Sequence, residues 1–333
     1  MAAPSVYYLV PDYSSPSWGT GLLYHHVRLL RKNGISAWVL HTRAPFRLEW
    51  LEAAVPVRHL DEPSFAPYRE DIMVIPEVLA RTGADLPFPC RRIVFVQGMF
   101  LALSPFTEAV DYGALGYHGA MTTLPHGRTI LERHFGMRPA VVPPFVASYF
   151  FVPPQALREE RRRRSILLVP KAGYRAAGLP DYDIARKLIA RRCRPAGSGG
   201  AALTASDWEL LELENLSHRE VATIMRAATF LVSVNSHEAF NATVPEAMAA
   251  GCIVLCYDAF GGRDYLVDRE NAFVFPNQHV YPLVDTLFDV LERYESMAEP
   301  LARMRANAYR TAQRYREEET EAALLAAFRP LLG

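Results

Sequence analysis

Apolar residues come in short blocks separated by polar or turn-rich stretches, and the block lengths alternate between strand-like and helix-like. Val6 to Val10 is an unbroken apolar run, Pro11 to Gly21 is rich in turn formers, and Leu22 to Asn33 carries leucines and histidines at helical spacing. Gly34 suits a helix C-terminus, and Ala37 to His41 reads as a second strand, giving a β-loop-α-β unit. The runs Asp71 to Ile75 and Ile93 to Val96 are apolar throughout, as expected of parallel strands covered on both faces. Glu108 to Arg138 shows no clear period.

Pro139 to Arg164 holds five prolines, an aromatic cluster and the charge run Arg158 to Arg164, and reads as a connection between domains, with the run as a solvated linker. Beyond it the alternation restarts: strand Ile166 to Val169, helix Tyr182 to Arg192, strand Trp208 to Leu213, helix Ser217 to Ala228, strand Phe230 to Val234, a short helix Pro245 to Ala250, strand Ile253 to Tyr257, and two long C-terminal helices. Ser217 and Glu220 have the spacing of a capping box, which marks that helix start. Two successive β/α halves predict an α/β protein of two doubly wound, Rossmann-like domains facing one another across a cleft. The expected boundaries are 1–150 for an N-terminal Rossmann-like domain and 165–310 for a C-terminal Rossmann-like domain. Residues 311–333 are expected to form a helix returning to the N-terminal domain, with the connection and this helix as hinges.

Length and charge change the picture little. A chain of 333 residues exceeds what one core usually holds, which agrees with two domains. Its 36 basic and 36 acidic residues cancel, so nothing global draws it to nucleic acid. The four cysteines form neither a CxxC pair nor a zinc spacing, and two share one strand, so a reduced, cytoplasmic protein is expected. There is no leader pattern before Val6 and no apolar segment of membrane-spanning length; a peripheral membrane contact is compatible with this.

The densest chemical signal runs from Ser233 to Gly251. Glu238 stands in the loop leaving a strand, where an open parallel sheet presents its ligand site. Pro245 suits the first turn of a helix, and the free N–H groups around Asn241, Ala242, Thr243 and Glu246 suit a diphosphate at a helix N-terminus. Glu246, in that turn, can accept hydrogen bonds from the hydroxyls of a ribose. No Asp-x-Asp pair follows a strand to hold a metal, so no metal and no cofactor are expected. Gly19-Thr20-Gly21 before a helix could open a dinucleotide site, but Tyr24 replaces the third glycine of that fingerprint, and a tight turn near the cleft is the better reading.

Glu238 and Glu246, separated by seven residues and followed by Ala-Met-Ala-Ala-Gly-Cys and Phe260-Gly261-Gly262-Arg-Asp-Tyr265-Leu, resemble the donor-binding signature of retaining GT-B glycosyltransferases of family 4. The resemblance covers about Ile166 to Phe275 and, more weakly, residues 6 to 41. It implies a GT-B fold and retaining, metal-independent transfer of a sugar from a nucleotide-sugar donor to a hydroxyl acceptor on a polysaccharide, glycolipid or natural product. It further implies that Glu238 lies beside the transferred sugar as the catalytic group, that Glu246 holds the ribose, and that Lys171 and Arg175 meet the phosphates. Gly19 and Gly21 would lie near the donor phosphates. The sequence departs from the family at Ala239 and Asn241, where glycines are usual, and at Gln97, where a sugar-contacting histidine is usual; His118 and His126 are the substitutes at hand. The rivals are a GT-B nucleotide-sugar epimerase and a catalytically silent nucleotide-sugar-binding subunit. His25 and His26 are expected to pack, and Met99-Phe100 and Tyr149-Phe150-Phe151 to form apolar wall or core.

Overall fold

The computed structural model describes residues 3–332 apart from 16, 52–53, 109–110, 158–162, 171–179, 194–206 and 215. The chain divides into two units, Met1–Pro144 with Glu318–Gly333, and Phe145–Glu317.

Unit 1 contains β1 (Val6–Leu9), α1 (Trp18–Lys32), β2 (Ala37–His41), β3 (Val57–His59), β4 (Ile72–Pro76), α2 (Ala80–Ala84), β5 (Arg91–Val96), β6 (Gly119–Thr122), α3 (Pro125–Phe135) and β7 (Pro139–Val141). Its seven strands form one sheet in the order β3-β2-β1-β4-β5-β6-β7, with every pairing parallel. The order reverses between β1 and β4, so the crevice beyond their carboxyl ends is where this sheet receives a ligand. Helix α1 begins at Trp18, four residues before the apolar spacing begins, because the Ser17 hydroxyl caps the Thr20 N–H. Gly19, Thr20 and Gly21 are therefore its first turn and not a loop. His25 and His26 lie on its buried face. The His26 ring stacks on Phe95 at 5.3 Å, and burial pushes its pKa down to about 3, so it packs as a neutral ring.

The stretch without a clear period supplies β6 and α3. A four-residue strand gives little periodic signal, and α3 buries only Gly127 and Leu131, but its ends are punctuated by Pro125 at the start and by Gly136 in the left-handed region, φ 64°, at the close.

Unit 2 contains β8 (Arg163–Leu168), α4 (Asp181–Arg192), β9 (Glu209–Glu212), α5 (His218–Ala227), β10 (Ala228–Ser233), α6 (Thr243–Ala249), β11 (Ile253–Tyr257), β12 (Phe273–Phe275), α7 (Val280–Glu292) and α8 (Ala298–Gln313). Its five strands run β12-β11-β10-β8-β9, again all parallel, with the switch point between β8 and β10. One core joins Ile166 and Leu168 of β8, Phe230 and Val232 of β10, Ile253 and Leu255 of β11 and the inner faces of α4 and α7. The capping box at α5 forms in both directions between Ser217 and Glu220.

The expected connection over 139–164 is taken up by the two units. Pro139–Val141 is the edge strand β7 of the first sheet. From Phe145 the chain packs in unit 2: the Val146 N–H donates to Tyr315 O at 2.7 Å, the Val152 N–H to Ala249 O at 3.2 Å, and the Tyr309 hydroxyl to Val152 O at 2.9 Å. The change of unit accordingly falls at 144/145 and unit 2 extends to 317. The last helix, α9 (Glu317–Leu332), completes unit 1: Glu321 bonds Lys32 at 2.7 Å and Asn33 at 2.6 Å, Arg91 donates to Leu331 O at 2.7 Å, and buried Phe328 packs beside Tyr8. The four cysteines are free and buried. Among the described residues no helix is long and apolar enough to cross a membrane.

Candidate functional site

The switch point of unit 2 brings the Glu238 loop to the carboxyl end of β10, where neighbouring chains diverge to opposite faces of the sheet. The backbone of Glu238 is fixed by a short parallel bridge: its N–H donates to Ala259 O at 3.0 Å, and the Gly261 N–H donates to Glu238 O at 3.0 Å. This bridge explains the glycine at 261, since a Cβ there would stand 1.9 Å from the carbonyl oxygen of Ala239. Two non-glycine residues take up strain to make the approach, Ala259 at φ 50° and Phe260 at φ 72°. The Tyr265 hydroxyl ties the two loops together by donating to Phe240 O at 2.8 Å.

Asn241 occupies the left-handed region at φ 56°, which places it where the related signature has glycine. Its buried carboxamide works internally, donating to the Ser233 hydroxyl at 3.3 Å and accepting from Asn235 at 3.4 Å. Asn241 thus shapes the loop with its side chain. The Val244 N–H is engaged with Asn241 O, and Glu246 N–H with Ala242 O, whereas the N–H groups of Ala242 and Thr243 have no acceptor among the described residues. Two adjacent free donors at the opening of α6 are a small anion-binding edge. Pro245 is the third helical residue, inside the first turn. Lys171 and Arg175, which follow β8 in sequence, lie outside the described residues.

Glu246 is buried and is met by a residue that sequence reasoning did not single out. His218, the first residue of α5, places Nε2 2.8 Å from Glu246 Oε1 and Nδ1 2.7 Å from the Tyr149 hydroxyl. The His218 ring packs against Phe150 at 4.8 Å and edge-on to Tyr149 at 5.7 Å. Burial opposes a charge on His218, but the hydrogen bond and the charge of Glu246 outweigh it and hold the imidazole above its ordinary value. The capping box marks His218 as a helix start, but nothing local couples it to a glutamate 28 residues later.

In unit 1 the structure brings Gly19 and Gln97 together: a Cβ on Gly19 would lie 2.6 Å from Gln97 Oε1. Gln97 follows β5 at the carboxyl edge, and its backbone N–H and that of Gly98 are both accepted by the buried carboxyl of Glu77, at 3.1 and 2.8 Å. Burial pushes Glu77 up to about 7, against the lowering effect of those two donors. A Cβ on Gly21 would lie 3.6 Å from the Trp50 ring, an ordinary van der Waals contact. His118 is a correction. It immediately precedes β6 and therefore stands at the amino edge, about 13 Å of strand away from the carboxyl edge that carries Gln97. In an all-parallel sheet, residues before and after a strand lie on opposite edges, so the structure does not bring His118 to Gln97. His126, second in α3 after β6, is on the same edge as Gln97, half-buried, with Met99 close to its neighbour Gly127. Beyond β1 and β2 an open pocket of about 750 Å³ is lined by Asp12, Ser14, Arg43, Phe46, Arg47 and Trp50 among others. Among the described residues no group of three or more His, Cys, Asp or Glu side chains could hold a metal ion.

Two parallel-sheet domains, each with a switch point, define an α/β fold that matches GT-B glycosyltransferase structures. Residues 212–311, which include the whole Glu238 to Gly262 constellation, match the sequence profile of the family described as glycosyl transferases group 1. In fold the chain is similar to sucrose-phosphate synthase from Thermosynechococcus elongatus, with a TM-score of 0.72 at 14% identity over 98% of this chain and 99% of that one. It is also similar to Anabaena HepE in complex with UDP-glucose, with a TM-score of 0.69 at 14% identity over 98% and 99% of the two chains. For the pneumococcal O-GlcNAc transferase GtfA in complex with UDP and GlcNAc the TM-score is 0.62 at 10% identity over 100% of both chains. No curated protein matches the chain in sequence.

Proposed function

We propose that this protein is a retaining, metal-independent glycosyltransferase of the family 4 type, in which unit 2 holds a nucleotide-sugar donor and unit 1 receives a hydroxyl acceptor. The observation that carries the reading is the locked Glu238 loop. A glutamate fixed by a backbone bridge beside two free N–H donors and a buried second glutamate, at a switch point and inside the matched stretch 212–311, suits a sugar, a diphosphate and a ribose in that order. A uridine nucleotide is the first donor to try, since UDP and UDP-glucose occur in the similar structures.

In this reading Glu238 accepts hydrogen bonds from the hydroxyls of the departing sugar and orients its anomeric carbon. Charge developing on the diphosphate is met by the N–H groups of Ala242 and Thr243 together with Lys171 and Arg175. Glu246 holds the ribose, remote from the reacting bond. The pocket beyond β1 and β2, with its indole and two guanidinium groups, suits a sugar acceptor. Gln97 in place of a histidine is the feature that favours the silent-subunit alternative.

The test is incubation with UDP-, GDP- and dTDP-sugars in chelator, with the anomeric configuration of any product read by NMR. Transfer or slow hydrolysis with retention supports the reading; epimer formation or binding alone supports a rival, and turnover that requires added magnesium or manganese refutes metal independence. Glu238→Gln should mainly lower kcat, whereas Glu246→Gln should mainly raise KM, each about tenfold or more, because contacts equal in ground and transition states change affinity and not turnover. Unaltered kinetics in both variants would remove the pair from the site.

A further inference from the structure

The His218–Glu246 pair has a construction that the donor reading does not require. A carboxylate embedded in α6, with only 6% of its side chain exposed, is met by a half-exposed imidazole from the first position of a different helix. That imidazole is itself oriented on its other side. Because a carboxylate only accepts, Nε2 must carry the proton that it donates to Glu246 Oε1; in the neutral ring Nδ1 then accepts from the Tyr149 hydroxyl. Tyr149 is held in turn, with the Arg219 guanidinium 4.7 Å over its ring, and Phe150 packs on the imidazole. One oxygen of Glu246 is thereby spoken for, which stops the carboxylate rotating, and Oε2 has no side-chain partner among the described residues.

We propose that His218 is a positioning residue for the nucleotide: it pins Oε1 of Glu246 so that Oε2 alone is presented to a ribose hydroxyl, and Tyr149 sets the tautomer in which it does so. This rests on the reading of Glu246 as the ribose-holding group. The pre-oriented carboxylate loses less freedom when the ligand arrives, which favours binding without touching the reacting bond. A second consequence is a pH dependence. The groups facing His218 are Glu246 from α6 and Tyr149 from the turn at 148–150, with Arg219 and Glu220 beside it on its own helix; β10, which packs against α5, has no acidic or basic side chain. Protonated His218 adds a positive charge next to a site that takes a diphosphate, so nucleotide affinity falls as pH rises through the His218 titration.

The experiment is calorimetric titration of the full chain with UDP, GDP and dTDP between pH 6 and 9, with the imidazole titration followed separately by NMR. Wild type should show an affinity step that coincides with the His218 titration. His218→Phe keeps the ring packing but not the donor, and should bind about tenfold more weakly with no step. His218→Gln restores an N–H donor and should recover most of the affinity while remaining flat with pH, a separation that a merely structural histidine would not produce. Tyr149→Phe should weaken binding less than His218→Phe. If a nucleotide binds and His218→Phe leaves both affinity and step unchanged, the positioning role is overturned and the donor reading survives. If no nucleotide binds wild type at any pH, the donor reading falls and this inference with it.

Discussion

The two units build their sites from different materials. In unit 2 the special geometry is in the backbone: among the described residues all five non-glycine positions of positive φ, Asn241, Ala259, Phe260, Arg269 and Gln278, belong to it, and three of them shape the Glu238 loop. Among the described residues of unit 1 positive φ occurs only at glycines, and the carboxyl edge is shaped by side chains: Gln97 over Gly19, Glu77 under the Gln97-Gly98 backbone, Trp50 against Gly21. Strained backbone persists only where the surroundings over-determine it, so the loop of unit 2 is held rigid, as the proposed donor site requires. A side-chain site can be re-cut by substitution without disturbing the sheet, which agrees with the acceptor role proposed for unit 1.

The largest test of this contrast concerns continuity. Unit 1 depends on a helix that arrives only at the end of the chain, with Phe328 wholly buried. Phe328→Ala should destabilise unit 1 by about 3–5 kcal/mol and leave unit 2 near its own stability. Denaturation followed by fluorescence reads this, since Trp18, Trp38 and Trp50 report on unit 1 and Trp208 on unit 2. A shift at Trp208 equal to that at the other three would break the separation.

Protonation gives the next effect. Glu77 has an ordinary value of 4.5 and a folded value of about 7, so the folded state keeps a proton that the unfolded chain has already lost. Glu77 should therefore contribute on the order of 3 kcal/mol to unit 1 that is lost as pH rises from about 4.5 to 7, read as the stability difference between wild type and Glu77→Gln because the neutral His26 adds a slope of opposite sign below about 6.5. His218 acts in a higher window. Its folded pKa is raised, so its contribution to unit 2 is complete below about 6.5 and is lost as pH rises through the folded value. Tm against pH for the wild type, Glu77→Gln and His218→Phe checks the two windows; a difference between wild type and Glu77→Gln that does not change between about pH 4.5 and 7 would remove Glu77 as its source.

Two glycine substitutions make the finest comparison. In Gly261→Ala the new methyl meets the Ala239 carbonyl, which cannot move without opening the Glu238 bridge, so a loss of about 1–3 kcal/mol and abolished UDP binding are expected. In Gly19→Ala it meets only the end of the Gln97 side chain, which can turn away, and the cost should stay within about 1 kcal/mol with UDP affinity unchanged. Equal losses in the two variants would mean that the edges are built alike.

Much of this protein is legible along the chain because its cause is local. Fully apolar runs specify buried parallel strands, so β1, β2, β4, β10 and β11 are found within a residue or two, and the capping box and the Asn-Ala-Thr-Val-Pro-Glu stretch mark α5 and α6 without any partner in view. The Glu238 and Glu246 spacing is likewise a local signal, since one loop and one helical turn set it. What the chain alone did not disclose depends on groups far apart in sequence. The edge of the sheet on which His118 stands follows from strand direction, and the break at 144/145 from hydrogen bonds to Ala249, Tyr309 and Tyr315. Glu77 beneath Gln97, His218 on Glu246 and the glycine at 261 are satisfied only by neighbours that packing supplies. A hydrogen bond or a steric limit between distant residues leaves no periodic trace in either segment, so only the folded chain decides it.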